Sequence, residues 1–221
     1  MTTVSRLNLT IDVLDTPNQP ALALTSLTPA QLIEATLQEF QEIEYLGDSP
    51  ENYRLLKGTT GEALLPEAPL HQQLSDGDRL QLVERSPAHP PAGAAAIKLP
   101  VYLRELNSGR VYKLNWLPVI IGRPDHNQPE NNLVAVDMSE FETGMRVSRR
   151  HAKITGSDDR FYIENLSGNI TKVKDKTGQI RTIDAQRQPL RHGDIIHLER
   201  SDLALKFIVR PNPADEESQP L

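Results

Sequence analysis

Three short stretches gather side chains able to do chemistry: Ile120-Ile121-Gly122-Arg123, Val147-Ser148-Arg149-Arg150-His151-Ala152 and Leu166-Ser167-Gly168-Asn169-Ile170-Thr171. Arginine supplies a rigid fork of charged donors, and serine and asparagine supply neutral ones. Carried on loops above a β-scaffold, this set suits holding a phosphate rather than cleaving it. Residues 144–153 contain four basic side chains (Arg146, Arg149, Arg150, Lys153) and no acid, in a chain whose net charge is −6. A phosphate ester brings roughly −1.5 to −2 charges and three acceptor oxygens to such a place. A Ser-Arg-Arg-His run alone is an ordinary solvated loop, and its weight comes from the strings around it.

Other chemistries find no support. Among the six histidines, His192 and His197 stand five apart around Asp194, poorly spaced for one ion, and no cysteine offers a thiolate. No Gly-x-x-x-x-Gly-Lys or Gly-x-Ser-x-Gly string and no kinase signature occurs. The basic residues are not interleaved with aromatics, as nucleic-acid binding would want. The expectation is a non-enzymatic protein with no cofactor and no metal, one that binds no nucleic acid and does not insert into a membrane. No apolar run approaches the length of a membrane span. The N-terminal residues lack the long apolar stretch of a signal peptide, and a chain without cysteine fits a reducing compartment. A cytoplasmic protein is expected.

The elements that would position these residues fall into two halves of opposite charge. Residues 1–86 hold 5 basic against 13 acidic side chains, whereas residues 97–211 hold 19 against 14. Between them residues 87–97, rich in proline and alanine, read as a linker, and residues 212–221 read as a disordered acidic tail. In the first half, residues 7–14 alternate apolar and polar as a half-buried strand. Residues 16–19 read as a turn and residues 21–24 as a second strand. Thr28-Pro29-Ala30-Gln31 opens a helix with a capping box and proline at its first position. Ile33, Leu37, Phe40 and Ile43 give that helix one apolar stripe, and Gly47 and Pro50 stop it. Strands follow at residues 53–57 and 79–83, with a helical turn at residues 70–74. This α+β order over residues 4–84 resembles the ubiquitin-like β-grasp fold. The half lacks a C-terminal Gly-Gly, so conjugation to a target is not implied. In layout it is similar to the small ubiquitin-like components of type VII secretion.

The second half is a succession of short alternating runs with turns at residues 107–109 and 156–159, which predicts an all-β sandwich. Its strings, in order, are Ile121-Gly122-Arg123, Val136-Asp137-Met138-Ser139, residues 147–154, residues 163–173 and Leu190-Arg191-His192-Gly193-Asp194-Ile195-Ile196. They resemble the forkhead-associated (FHA) domain over residues 98–210, a sandwich of about 11 strands that reads phosphothreonine.

The resemblance implies that Arg123, Ser148, Arg149, Gly168 and Asn169 form a phosphopeptide site. Ser148 and Arg149 would hold the phosphate, Arg123 the phosphate or the backbone beside it, and Asn169 the peptide main chain. Gly122 would allow close approach of the loops, and His151 would pin them to each other. Three departures stand out. Ile170 replaces a glycine, so the loop must turn differently or carry strain. Gly168 stands where relatives often carry a side chain near the phosphate. Lys174-Asp175 replaces Asn-Gly at the next hairpin. Residues 124–132 form a polar insertion flanking the site, which could screen the peptide after the phosphothreonine or be a plain surface loop, the latter being the preferred reading. The implied function is a phosphothreonine-reading adaptor in Ser/Thr kinase signalling. Its partners would be a kinase or a kinase substrate, with a second protein on the ubiquitin-like half. The alternative is a phosphate-independent structural subunit, for example of a type VII-like secretion apparatus. Thr2 and Thr3 are candidate targets for self-binding.

Overall fold

The computed structural model describes residues 5–87, 89–157 and 159–210. Thr2, Thr3 and the acidic tail at 212–221 lie outside the described residues. The chain divides into two compact units, Met1–Ser86 and Pro87–Leu221.

In the first unit, strands β1 (Arg6–Val13), β2 (Thr16–Leu24), β3 (Tyr53–Lys57) and β4 (Arg79–Glu84) form one mixed sheet ordered β2-β1-β4-β3, with β1 and β4 parallel. Helix α1 (Pro29–Glu39) buries Leu32, Ile33 and Leu37 in a core with Leu9, Ile11, Val13, Leu55, Leu80 and Leu82. Thr28 caps it as the sequence predicts: its hydroxyl accepts from the Gln31 N–H, and the Gln31 side chain accepts from the Thr28 N–H. The helix ends earlier than its apolar stripe. Phe40 is the C-cap, and Ile43 reaches the core from the turns beyond it. The first hairpin also differs from expectation. It turns at Leu14 and Asp15, with Leu14 at φ 53°, and residues 16–19 are already strand. Pro17 and Pro20 are tolerated there because β2 is a sheet edge, where a missing N–H breaks no ladder.

The second unit holds β5 (Ala95–Glu105), β6 (Val111–Leu117), β7 (Val119–Gly122), β8 (Val134–Asp137), β9 (Ala152–Ser157), β10 (Arg160–Asn165), β11 (Thr171–Lys174), β12 (Ile180–Ile183), β13 (Gln188–Leu190), β14 (Ile195–Leu198) and β15 (Leu203–Val209). These 11 strands make a five-stranded sheet, β13-β10-β9-β7-β8, and a six-stranded sheet, β12-β11-β14-β15-β5-β6. One core joins them: Ile121, Ile154 and Ile163 of the first meet Leu103, Val173, Ile196 and Leu205 of the second. The rings of Phe161 and Phe207 touch edge to face with centroids 5.2 Å apart. Two sheets sharing one aliphatic core make the expected sandwich.

Strand β5 begins inside the segment read as linker. Ala95 and Ala96 pair with Leu117 and Trp116, because alanine fits a ladder as well as it fits an extended spacer. Lys174-Asp175 closes the β11–β12 hairpin by side-chain chemistry: the Asp175 Oδ1 accepts from the N–H groups of Thr177 and Gln179 at 2.9 and 3.0 Å, and Gly178 takes φ 89°. No helix among the described residues is long and apolar enough to cross a membrane.

Candidate functional site

Strand register brings the three chemical stretches to one end of the sandwich. Ile121 pairs with Ala152, Ala152 with Asn165, and Gly122 with Asp137 in the five-stranded sheet. In the other sheet Thr171 pairs with Leu198, and Leu198 with Leu203. The loops after β7, β8, β10 and β14 therefore leave from the same edge.

Close approach is built into Gly122. A Cβ there would lie 2.3 Å from the Arg149 carbonyl oxygen and 2.9 Å from that of Ser148. His151, fully buried, ties the loops together. Its N–H donates to the Ile121 carbonyl, its carbonyl accepts from Leu166, and its Nδ1 faces the Ser148 N–H at 3.4 Å. Burial pushes the imidazole down to about 4, against a smaller upward pull from the Ile170 main chain, so the ring is neutral.

The polar centre lies above this layer. Arg123 donates from Nε to the Val147 carbonyl at 2.7 Å, which aims its guanidinium along the Ser148 loop. The Asn169 Nδ2 donates to the Ser148 Oγ at 3.0 Å, leaving the serine's own proton to be donated elsewhere. Asn165 shapes the third loop, its Nδ2 donating to the carbonyls of Ser167 and Asn169 at 2.9 and 3.0 Å and its Oδ1 accepting from the Thr171 hydroxyl. Ile170 turns this loop without positive φ and stays exposed. The loop thus turns differently from a glycine-containing one. Gly168 faces open space.

The arginines divide their work in a way the sequence conceals. Arg149 is paired through Nε with Asp125 at 2.9 Å. Arg150 donates to the carbonyls of Pro129, Arg149, Arg123 and Gln128 at 2.9, 2.9, 3.3 and 3.4 Å, and to the Asn131 Oδ1 at 3.4 Å. The insertion at 124–132 is fastened to the Ser148 segment through both arginines. Asn131 accepts from the Asp125 N–H at 2.7 Å and completes the tie.

Sequence reasoning missed three residues. Gly144 sits so close to Met138 that a Cβ would overlap its carbonyl. Asn165 was legible only as the polar end of a strand. Arg200, between β14 and β15, donates from Nη1 to the Asn169 Oδ1 at 3.4 Å, and no local pattern announces it. Neither histidine of the His192/His197 pair serves a shared centre: the His192 Nδ1 accepts from the Val209 N–H, and His197 lies on β14 opposite Ala204.

The family model of the FHA domain matches residues 119–199. No curated protein matches the chain. Similar solved structures include one described as a structural and functional analysis of phosphothreonine-dependent FHA domain interactions. It is 25% identical, covers 51% of this chain and 99% of that chain, and has a TM-score of 0.38. Another is EmbR of Mycobacterium tuberculosis in complex with a low-affinity phosphopeptide, 24% identical, covering 53% of this chain and 27% of that one at a TM-score of 0.38. Ubiquitin from Caldiarchaeum subterraneum is 17% identical and covers 38% of this chain and all of its own length, at a TM-score of 0.29.

Proposed function

We propose that the chain is a cytoplasmic, non-enzymatic adaptor whose second unit binds phosphothreonine peptides. The observation that carries this reading is that Asn169 and Ser148, from two loops, are joined by a hydrogen bond, and Arg123, from a third, is held to the Val147 carbonyl next to Ser148. A hydroxyl donor, an arginine fork and an amide on rigid strands match the needs of a phosphate beside an extended main chain. The family match at 119–199 supports the same reading. In this reading Ser148 donates to a phosphate oxygen, Arg123 supplies charge, and Asn169 exchanges its internal bonds for the peptide main chain. Arg149 contributes after leaving Asp125. Gly168 leaves room beside the phosphate, with Gly122 and His151 holding the loops in place. The ligand would be a Ser/Thr kinase or one of its substrates.

The first unit, whose order of two strands, helix and two strands supports a β-grasp reading, is proposed as a ubiquitin-like module for a second protein. Phosphorylation would then bring two proteins together.

Titration with phosphothreonine peptides and their unphosphorylated counterparts tests the reading. Binding of the phosphorylated form alone is expected, and Arg123→Ala and Ser148→Ala should each weaken it about tenfold or more, the worth of one charged hydrogen bond. Equal affinity for both forms would favour the phosphate-independent subunit. The observation on that side is that Asn169 and Arg149 already hold internal partners.

A further inference from the structure

We infer that Arg200 is a ligand-binding residue and supplies a further cation to this site; the inference rests on the phosphopeptide reading above. Arg150 is committed to six acceptors, four of them in the loop it fastens, and Arg149 is paired with Asp125. A further charge reaches the polar centre beside Arg123 from the β14–β15 loop. Arg200 donates to the Oδ1 of Asn169, the same amide whose Nδ2 holds the Ser148 hydroxyl. An unbroken path therefore runs from the Arg200 guanidinium through Asn169 to Ser148. A peptide that takes over the amide of Asn169 releases Arg200 beside the bound phosphate, where its fork can hold a phosphate oxygen.

The loop is built to keep Arg200 there. Arg200 takes φ 74° and Asp202 φ 59°, a conformation that costs a side-chain-bearing residue and persists only where its surroundings enforce it. Ser201 between them is fully buried, and its hydroxyl donates to the Leu198 carbonyl at 2.6 Å. The Thr143 hydroxyl donates to the Ser201 carbonyl, and Arg146 donates to the Arg200 carbonyl at 3.4 Å. Glu199 donates its N–H to the Ile170 carbonyl at 3.1 Å, which locks the loop to the segment bearing Asn169. The carboxylate of Glu199 is occupied by Lys172 at 2.9 Å and does not offset Arg200.

The test uses the full chain and a fluorescein-labelled phosphothreonine peptide selected from a degenerate library, read by anisotropy at low and high salt. Asparagine accepts the left-handed conformation, so Arg200→Asn keeps the loop and removes only the charge. Arg200→Asn should weaken binding about tenfold, with a loss that shrinks at high salt, and an unchanged melting temperature. Arg200→Lys, which keeps the charge, should retain most of the affinity. Wild-type affinity in Arg200→Asn, or an equal loss in Arg200→Lys, overturns the inference while leaving the phosphopeptide reading intact. A wild-type chain that binds the peptide equally without its phosphate overturns both.

Discussion

Gly122 and Gly168 are both glycines of the site loops, yet the space around them is opposite. A side chain at 122 would enter the backbone of residues 148–149, whereas one at 168 meets nothing within 4 Å. Gly122→Ala should therefore cost about 1–3 kcal/mol, the range for overpacking, and displace Ser148 as well. Gly168→Ala should stay within about 0.5 kcal/mol of the wild type. Urea unfolding of the two variants checks both, and equal stability would contradict the packing described at Gly122. His151 makes a second prediction at this scale. Its imidazole is held at about 4 when folded, below the ordinary 6.5. As pH falls, the unfolded chain takes up this proton first, so the contribution of His151 to stability is full above pH 6.5 and is lost between 6.5 and 4. The loss approaches roughly 3 kcal/mol across that window. Comparing the unfolding free energies of wild type and His151→Gln across it should show the slope only in the wild type; parallel profiles would refute a buried neutral ring.

Among the elements, the stretch from Arg123 to Leu133, irregular except for a 3-10 turn at Asn131–Leu133, shows how a loop is fastened by side chains. Arg150 spans it with charged hydrogen bonds, and Asn131 closes it on Asp125. Arg150→Ala should free this loop while the sandwich stays folded. Faster amide exchange over residues 124–132, with β7 and β9 still protected, is the expected result, and unchanged exchange would mean that Arg150 does not hold the loop. Which elements the sequence disclosed follows from the range of the forces involved. The capping box of α1 joins residues three apart, and the alternation of β1 or β10 is local, so both are visible in a short window. The hairpin at Leu14 is not: an unfavourable residue takes positive φ because register across β1 and β2 demands it. The start of β5 at Ala95 depends on Trp116 and Leu117, which no inspection of alanines reveals. In the site, Arg123, Ser148 and Asn169 stand out because their neighbours form strings. The Arg149–Asp125 pair and the Arg200–Asn169 hydrogen bond do not show in the sequence because their members lie 24 and 31 residues apart in the chain.

At the scale of the molecule, the two units have separate hydrophobic cores, one running from Leu7 to Leu82 and the other from Val101 to Phe207. Their excess charges are also opposite in sign, acidic in residues 1–86 and basic in residues 97–211. Separate cores mean that damage to one should be paid for within it. Leu80 on β4 is fully buried between β1 and β3, so Leu80→Ala removes packing at the centre of the first sheet. A cost of about 2–5 kcal/mol is expected for such a truncation. That is enough to unfold a small α+β unit, because domains of this size are only marginally stable. The candidate site shares no residue with that core, and all the hydrogen bonds described for it lie between Ile121 and Ser201. Leu80→Ala in the full chain should thus lower or abolish the melting transition of the first unit, followed by calorimetry, while the affinity for a phosphothreonine peptide stays within about twofold of the wild type. Loss of peptide binding in step with the first unit would show that the sandwich needs its neighbour folded in order to hold a phosphate.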